Sequence, residues 1–347
     1  MCHRYARGVT GGRMKIVRRA ADFTQRLRHL IQAGFLLVNL WIGWQFYAFV
    51  RYCETDGRTA YVQRPPGVEG WLPIAGLMNL KYAVATGSLP DGHAAGFFLF
   101  VAILGVSFLF RKAFCAWLCP VGTVSEWLWQ GGRELGLNVG VPKPVDIALR
   151  GLKYALLGLF ASAIARMPAE EISAFMASPY GLIADVKLLN FFRDISVAAA
   201  AVVAALAVAS LFVKNAWCRY LCPYGALLGI AALPSPTRIR RNPAACIDCD
   251  KCAHACPSFI PVARLVTVRT AECTACLECV SACPVAEALD VAIAPSPRRL
   301  PGWAVACGVV LLVAGIVGYA KATHRWDDRT PEHTYFELIP DAALVAH

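Results

Sequence analysis

SFLFRKAFCAWLCPVGT at residues 107–123 and SLFVKNAWCRYLCPYGA at residues 210–226 align without a gap, 103 positions apart. Ser107 and Ser210, Ala113 and Ala216, Leu118 and Leu221, Pro120 and Pro223, Gly122 and Gly225, and both cysteines of each copy coincide. Each copy lies at the end of a long apolar stretch and carries basic residues before its first cysteine, Arg111 and Lys112 in one and Lys214 in the other. A motif repeated at the inner ends of two apolar stretches predicts two equivalent membrane hairpins, a parallel repeat with its axis along the membrane normal. The outer loops echo one another more weakly, Pro73-Ile74-Ala75-Gly76-Leu77 against Pro179-Tyr180-Gly181-Leu182, and read as half-inserted turns lining a cavity.

The composition agrees with a membrane protein. Of 347 residues 57% are hydrophobic and 16% charged, against roughly 25% charged in ordinary globular chains. Five stretches approach the roughly 20 helical residues that span a bilayer core: 30–50, 94–110, 150–167, 195–213 and 301–320. Lys153 and Arg166, at opposite ends of the third, read as snorkelling to the two interfaces. The excess of 34 Lys and Arg over 23 Asp and Glu falls where cytoplasmic segments are expected. The arm before residue 30 holds Arg4, Arg7, Arg13, Lys15, Arg18, Arg19, Arg26 and Arg28, and segments 111–150 and 214–300 are also basic. By the positive-inside rule the N-terminus lies inside and the C-terminus outside, with the first helix uncleaved. The charge is thereby accounted for, and no aromatic-interleaved basic patch remains to bind nucleic acid.

Fifteen cysteines set the chemistry. After Pro234, Pro236 and Pro243 the chain reads Cys246-x2-Cys249-x2-Cys252-x3-Cys256-Pro257, then Cys273-x2-Cys276-x2-Cys279-x3-Cys283-Pro284. This is the two-cluster ferredoxin run written twice, in which the fourth cysteine of each run serves the other cluster. One [4Fe-4S] cluster is expected on Cys246, Cys249, Cys252 and Cys283, the other on Cys273, Cys276, Cys279 and Cys256. Paired zinc knuckles would need neither a third Cys-x2-Cys step nor the Cys-Pro endings. Glu272 and Glu278 beside the second run, and Arg240, Arg241 and Lys251 beside the first, predict a lower potential for the second cluster. His254 reads as a solvated surface imidazole.

Cys115 and Cys119, like Cys218 and Cys222, stand four residues apart and would share one helix face. Arg111, Lys112, Lys214 and Arg219 nearby would favour thiolates. Three readings stay open for these four cysteines: an additional metal or cluster site, a redox-active thiol set, or packing. Cys2, Cys53 and Cys307 stand alone, Cys307 as a small buried residue within the fifth helix. His93 and Glu69 are candidates for a quinone pocket.

These motifs together resemble the membrane polyferredoxins associated with periplasmic nitrate and nitrous-oxide reductases, over about residues 30–290. The resemblance implies an α-helical membrane domain carrying a small α+β ferredoxin domain on the cytoplasmic side of a bacterial inner membrane. The chain then divides into a basic arm (1–29), a four-helix domain (30–233), the ferredoxin domain (234–300), a fifth helix (301–320) and an extracytoplasmic tail (321–347). It implies relay of single electrons between the quinone pool or a cytoplasmic donor and a respiratory reductase, or support of that partner's maturation. Membrane lipid and a redox protein are the expected partners, and an electron-transfer subunit is expected more than a self-contained enzyme. A related group that reduces copper for cytochrome oxidase assembly shares the helix after the ferredoxin module but ends in a folded outer domain. A membrane scaffold with structural clusters is the third reading.

Overall fold

A computed structural model of the chain describes residues 18, 19, 22–89, 92–294 and 298–345. Arg4, Arg7, Arg13, Lys15 and Cys2 lie outside the described residues. The first half runs α1 (Thr24–Glu54), a short 3-10 turn (Pro66–Trp71), α2 (Pro73–Thr86), α3 (Ala94–Phe110), α4 (Ala113–Trp117) and α5 (Pro120–Glu134). The second half runs α6 (Lys143–Arg166), α7 (Ala169–Ala177), α8 (Pro179–Leu182), α9 (Ala184–Arg193), α10 (Val197–Phe212), α11 (Ala216–Tyr220) and α12 (Pro223–Ala231). A cysteine-rich domain follows with β1 (Thr237–Arg241), α13 (Lys251–Ala255), α14 (Glu278–Ser281), β2 (Leu289–Ile293) and β3 (Arg299–Leu300). The chain closes on α15 (Gly302–Ala322) and α16 (Glu332–Leu338).

All five apolar stretches are helical, but they differ in reach. α1, α6 and α15 are each long and apolar enough to cross a membrane, and α9 with α10, bent by 85° at a short break, makes a fourth if taken as one broken span. α3 has 17 residues and α10 has 16, about 24–26 Å of helix against a hydrocarbon core of about 30 Å. Both stop at the repeated motif. α3 ends where Arg111 takes φ 59°, and the stretch after α10 turns at Asn215 with φ 55°.

The repeat extends beyond sequence. α3, α4 and α5 begin at 94, 113 and 120, and α10, α11 and α12 at 197, 216 and 223, each 103 later. The packing is exchanged between halves: α5 lies on α10, and α12 lies on α3. α1 likewise packs on α4 and α5 as α6 packs on α11 and α12. α15 packs on α3 and breaks the equivalence.

The cysteine-rich domain is built on an antiparallel sheet ordered β1-β2-β3, with Thr237 opposite Ile293 and Arg241 opposite Leu289. It shares one hydrophobic core with the helices before and after it: Trp117 and Leu118 of the first motif, Val305, Ala306 and Val309 of α15, and Ile239, Leu277 and Val291 of the domain. At the far end α16 closes a second core, where Tyr335 and Ile339 meet Phe46, Phe49 and Val50 of α1 and Ile183 beside α9. The tail is therefore docked. The two outer segments expected as turns are helical, with Pro73 and Pro179 as first residues of helices, where proline's missing N–H costs nothing.

Candidate iron-sulfur centres and the paired cysteine motifs

The two Cys-x2-Cys-x2-Cys loops have the same backbone shape. Asp248 and Asp250 in the first, and Ala275 and Leu277 in the second, all take positive φ, between 49° and 62°. These are the second and fourth residues after the first cysteine of each run, and none is glycine. Left-handed residues alternating with right-handed ones turn successive N–H groups to one side and form a concavity for an anion. Such strain persists in non-glycine residues only where the surroundings require it.

Each loop borders its own cavity. Cys273, Cys276 and Cys279 line one together with Cys256, walled by Ile239, Ile260, Val262 and Val268. Cys246, Cys249 and Cys252 line the other together with Cys283, walled by Ala263, Val285 and Leu289. The fourth cysteine of each run thus faces the other run's loop. Among the described residues no three His, Cys, Asp or Glu side chains converge tightly enough for a single ion; the hollows suit a broader group. Burial pushes the Cys256 thiol up to about 11, against the pull of the Ile260 and Ser258 N–H groups, and raises Cys279 well above its ordinary value. A thiolate at that depth needs a bound cation. Thiolate ligands, inward N–H groups and apolar walls fit an iron-sulfur cluster.

The paired motifs depart from the expected shared helix face. Cys115 sits in α4, the chain breaks at Leu118, and Cys119 is the N-cap of α5 with Pro120 at the first helical position. Cys218, Cys222 and Pro223 repeat this around α11 and α12, where the Gly225 N–H donates to Cys222 Sγ at 3.2 Å. The Cys-Pro step is a helix start, and a thiol at a helix N-terminus meets its unpaired N–H groups. Gly122 has no room for a side chain, since a Cβ there would lie 2.5 Å from the Cys115 carbonyl oxygen. Cys115 and Cys218 line one cavity, and Cys276 of the cysteine-rich domain lines it too.

Ion pairs fasten the two parts together and correct three expectations. Lys153 does not snorkel: it is fully buried, with Nζ 2.7 Å from Glu272, which also accepts from the Tyr154 hydroxyl at 2.9 Å. Glu278 accepts from Lys214 at 2.9 Å and Arg28 at 3.3 Å. Both acids beside the second run are therefore neutralised, which removes the charge argument for a lower potential there. Of the four bases expected to favour thiolates, Arg219 is held by Asp146 at 2.6 and 2.9 Å, Lys214 by Glu278, and Arg111 by the Thr270 carbonyl. Only Lys112 is left facing the cysteines. Arg28 forms a two-pronged pair with Glu126, both bonds 2.7 Å, and the Trp117 indole N–H donates to the Ala275 carbonyl at 3.0 Å.

At the opposite end a buried network joins Arg64 to Glu69 at 3.0 Å and to Asp185 at 2.7 Å. Glu69 also accepts from the Gly96 N–H, at the start of α3, at 2.8 Å. His93 lies 3.5 Å from Glu69 and donates through Nε2 to the Gly181 carbonyl at 2.6 Å. Burial would raise the Glu69 carboxyl, but Arg64 and His93 hold it down to about 2. Burial would lower His93, but Glu69 holds it up to about 9. His254 is bonded to the Asp250 carbonyl of its own turn at 2.9 Å. Cys53 is buried in the outer core, whereas Cys307 is exposed, correcting its expected burial. It lies off the stripe of Val305, Ala306 and Val309 that packs inward.

Comparison with known proteins matches two family models. The 4Fe-4S binding domain aligns twice, at 93–138 and 195–242, and the 4Fe-4S dicluster domain aligns at 238–284. YccM of Escherichia coli, an electron transport protein by name, is 47% identical over 348 residues, 98% of this chain and 96% of that one. The regulatory protein NosR of Pseudomonas aeruginosa is 30% identical over 57% of this chain and 29% of its own length. The ferredoxin-type protein NapH of Haemophilus influenzae is 27% identical over 54% of this chain and 61% of its own. No solved structure matches the chain.

Proposed function

The chain belongs to the family of membrane polyferredoxins that includes YccM, iron-sulfur electron transport proteins, and on that premise we propose that it relays single electrons between the quinone pool or a cytoplasmic donor and a respiratory reductase or its maturation system. The observation that carries this reading is the grouping of eight cysteines into two fours, each around its own cavity. Cys246, Cys249, Cys252 and Cys283 would hold one [4Fe-4S] cluster and Cys273, Cys276, Cys279 and Cys256 the other. Each cluster, when bound, supplies a one-electron couple. The loops preset inward N–H groups, the apolar walls exclude water, and Pro257 and Pro284 carry the chain from one loop to the other.

The five helices would form a repeated hairpin plus one, in the inner membrane, with the cysteine-rich domain cytoplasmic and the C-terminus outside. The domain limits are then 1–29, 30–233, 234–300, 301–320 and 321–347. The short α3 and α10 would leave the paired motifs at the inner membrane boundary. Both cluster cavities lie in one domain on one side, so a diffusible carrier such as quinone must complete any path across about 30 Å of hydrocarbon.

Two measurements test this. Cys249→Ala and Cys276→Ala should each remove about four irons from anaerobically purified protein, one cluster's worth; stoichiometric zinc in place of iron sinks the assignment. In membrane vesicles with dithionite-reduced protein, a quinone analogue and cupric ion are added separately and reoxidation is followed by absorbance. Fast reoxidation by quinone supports the relay. Fast reoxidation by copper alone overturns it in favour of copper reduction, and no reoxidation by either favours the scaffold.

A further inference from the structure

Each copy of the repeat carries two cysteines, half of what a four-thiolate cluster needs, although a 4Fe-4S binding model matches both copies. The fold supplies the missing half to each. Cys115 and Cys218 meet across one cavity. Cys119 and Cys222 stand at the starts of α5 and α12, and the four thiols are near enough for their charges to bear on one another.

Burial alone is hostile to thiolates here. All four thiols are partly buried. Against it stands Lys112, 4% exposed, whose charge bears on Cys115, Cys119 and Cys218. Among the described residues its ammonium has no hydrogen bond or ion pair; the nearby Glu272 is taken by Lys153 and Tyr154. A Cβ added at Gly225 would lie 3.5 Å from Lys112 Nζ and 3.6 Å from Cys222 Sγ, so Lys112 of the first copy lies beside the turn that carries Cys222 in the second. The Lys112 charge also bears on Glu272, so one carboxylate faces two buried ammoniums, Lys112 and Lys153, and one positive charge is left over. It calls for an anion among these thiols.

We propose that Cys115, Cys119, Cys218 and Cys222 together hold a third [4Fe-4S] cluster, shared between the two repeat copies, with the Lys112 ammonium as its built-in counter-charge. Four thiolates leave such a group net negative, which answers the positive charge left over beside Glu272. Because no three thiols converge on a point, a lone metal ion fits less well than a group several atoms wide. The site adjoins the cavity of Cys273, Cys276 and Cys279: Cys276 lines both spaces, and Trp117, between Cys115 and Cys119, bonds the Ala275 carbonyl. One electron lost by the centre at Cys276 is gained by the centre at Cys115, with no bond or proton exchanged. The inference rests on the reading that the cysteine-rich domain holds two clusters.

The test uses the full chain, purified anaerobically in detergent, with iron and acid-labile sulfide counted and paramagnetic signals followed through a redox titration. Wild type should hold about twelve irons. The double substitution Cys115→Ser, Cys218→Ser should leave about eight, with both ferredoxin-type signals intact as evidence of folding. Lys112→Met should keep about twelve and move only the third signal to lower potential, because a lost cation disfavours the added electron, and Lys112→Arg should restore it. Loss of the third centre's iron in Lys112→Met with rescue by Lys112→Arg carries the same conclusion. About eight irons in wild type, unchanged by the double substitution, overturns the proposal and leaves the two-cluster reading standing, as does stoichiometric copper at these cysteines. Fewer than eight irons that no Cys249→Ala or Cys276→Ala substitution lowers removes the two-cluster reading instead. An unmoved potential in Lys112→Met removes the role of Lys112.

Discussion

Arg28 shows how much a single side chain can be asked to do. It is 2% exposed and answers both Glu126 of α5 and Glu278 of the cysteine-rich domain. Removing one partner of a buried pair strands the other charge, at about 3–5 kcal/mol. Glu126→Ala should therefore lower the thermal midpoint in detergent sharply, whereas loss of the Arg241 pair, whose partner Asp248 is 69% exposed, is worth at most about 1 kcal/mol of stability, and Arg241→Ala should move the midpoint little. Comparable losses in the two variants would remove this ranking. At this scale the sequence is only half legible. Cysteine spacing dictates tight loops because three thiols, each three residues from the next, must face one group. The partners of Arg28 and Lys153 lie 98 and 119 positions away, so no local pattern marks them. Their one signal is a charge seated at the edge of an apolar run, which topology rules absorb as a boundary residue.

Among elements, α16 is the clearest addition to what the sequence offered. Its residues read as an extracytoplasmic tail because the partners of Tyr335 and Ile339 on α1 are nearly 300 positions earlier. The network beneath it links to the tail through Asp328, which accepts from the Tyr335 hydroxyl at 2.8 Å and lies 3.7 Å from Arg64. Its acids are Glu69, Asp185 and Asp328, and its cations Arg64 and His93. Glu69, held down to about 2, adds stability above its ordinary 4.5, and that contribution is lost as pH falls toward 2. His93, held up to about 9, adds stability in full below 6.5, and that contribution is lost as pH rises through 9. Protease resistance of the tail should hold between about pH 5 and 7 and fall on the alkaline side. His93→Gln should flatten the alkaline limb; an unchanged limb would assign it to another group.

For the whole molecule, orientation is the open quantity with the simplest readout. Reporter fusions after Arg150 and Arg298 should report cytoplasm and a fusion after His347 the outside; a cytoplasmic C-terminus would take α15 out of the membrane. The exchanged packing of the two halves also constrains how the protein is made. α5 rests on α10, and 63 positions separate Glu134 from Val197. At 5–20 residues per second the ribosome takes roughly 3–13 s to supply that partner. During this interval the first half is an unfinished surface, with Gly132 and its neighbours waiting for the Leu211 backbone that they will touch. The cysteine-rich domain is synthesised later still. Synthesis is thereby ordered: the second half is made before the loops that carry the eight clustered cysteines, and a chain stopped before α10 leaves the α5 face without the partner it rests on in the finished fold.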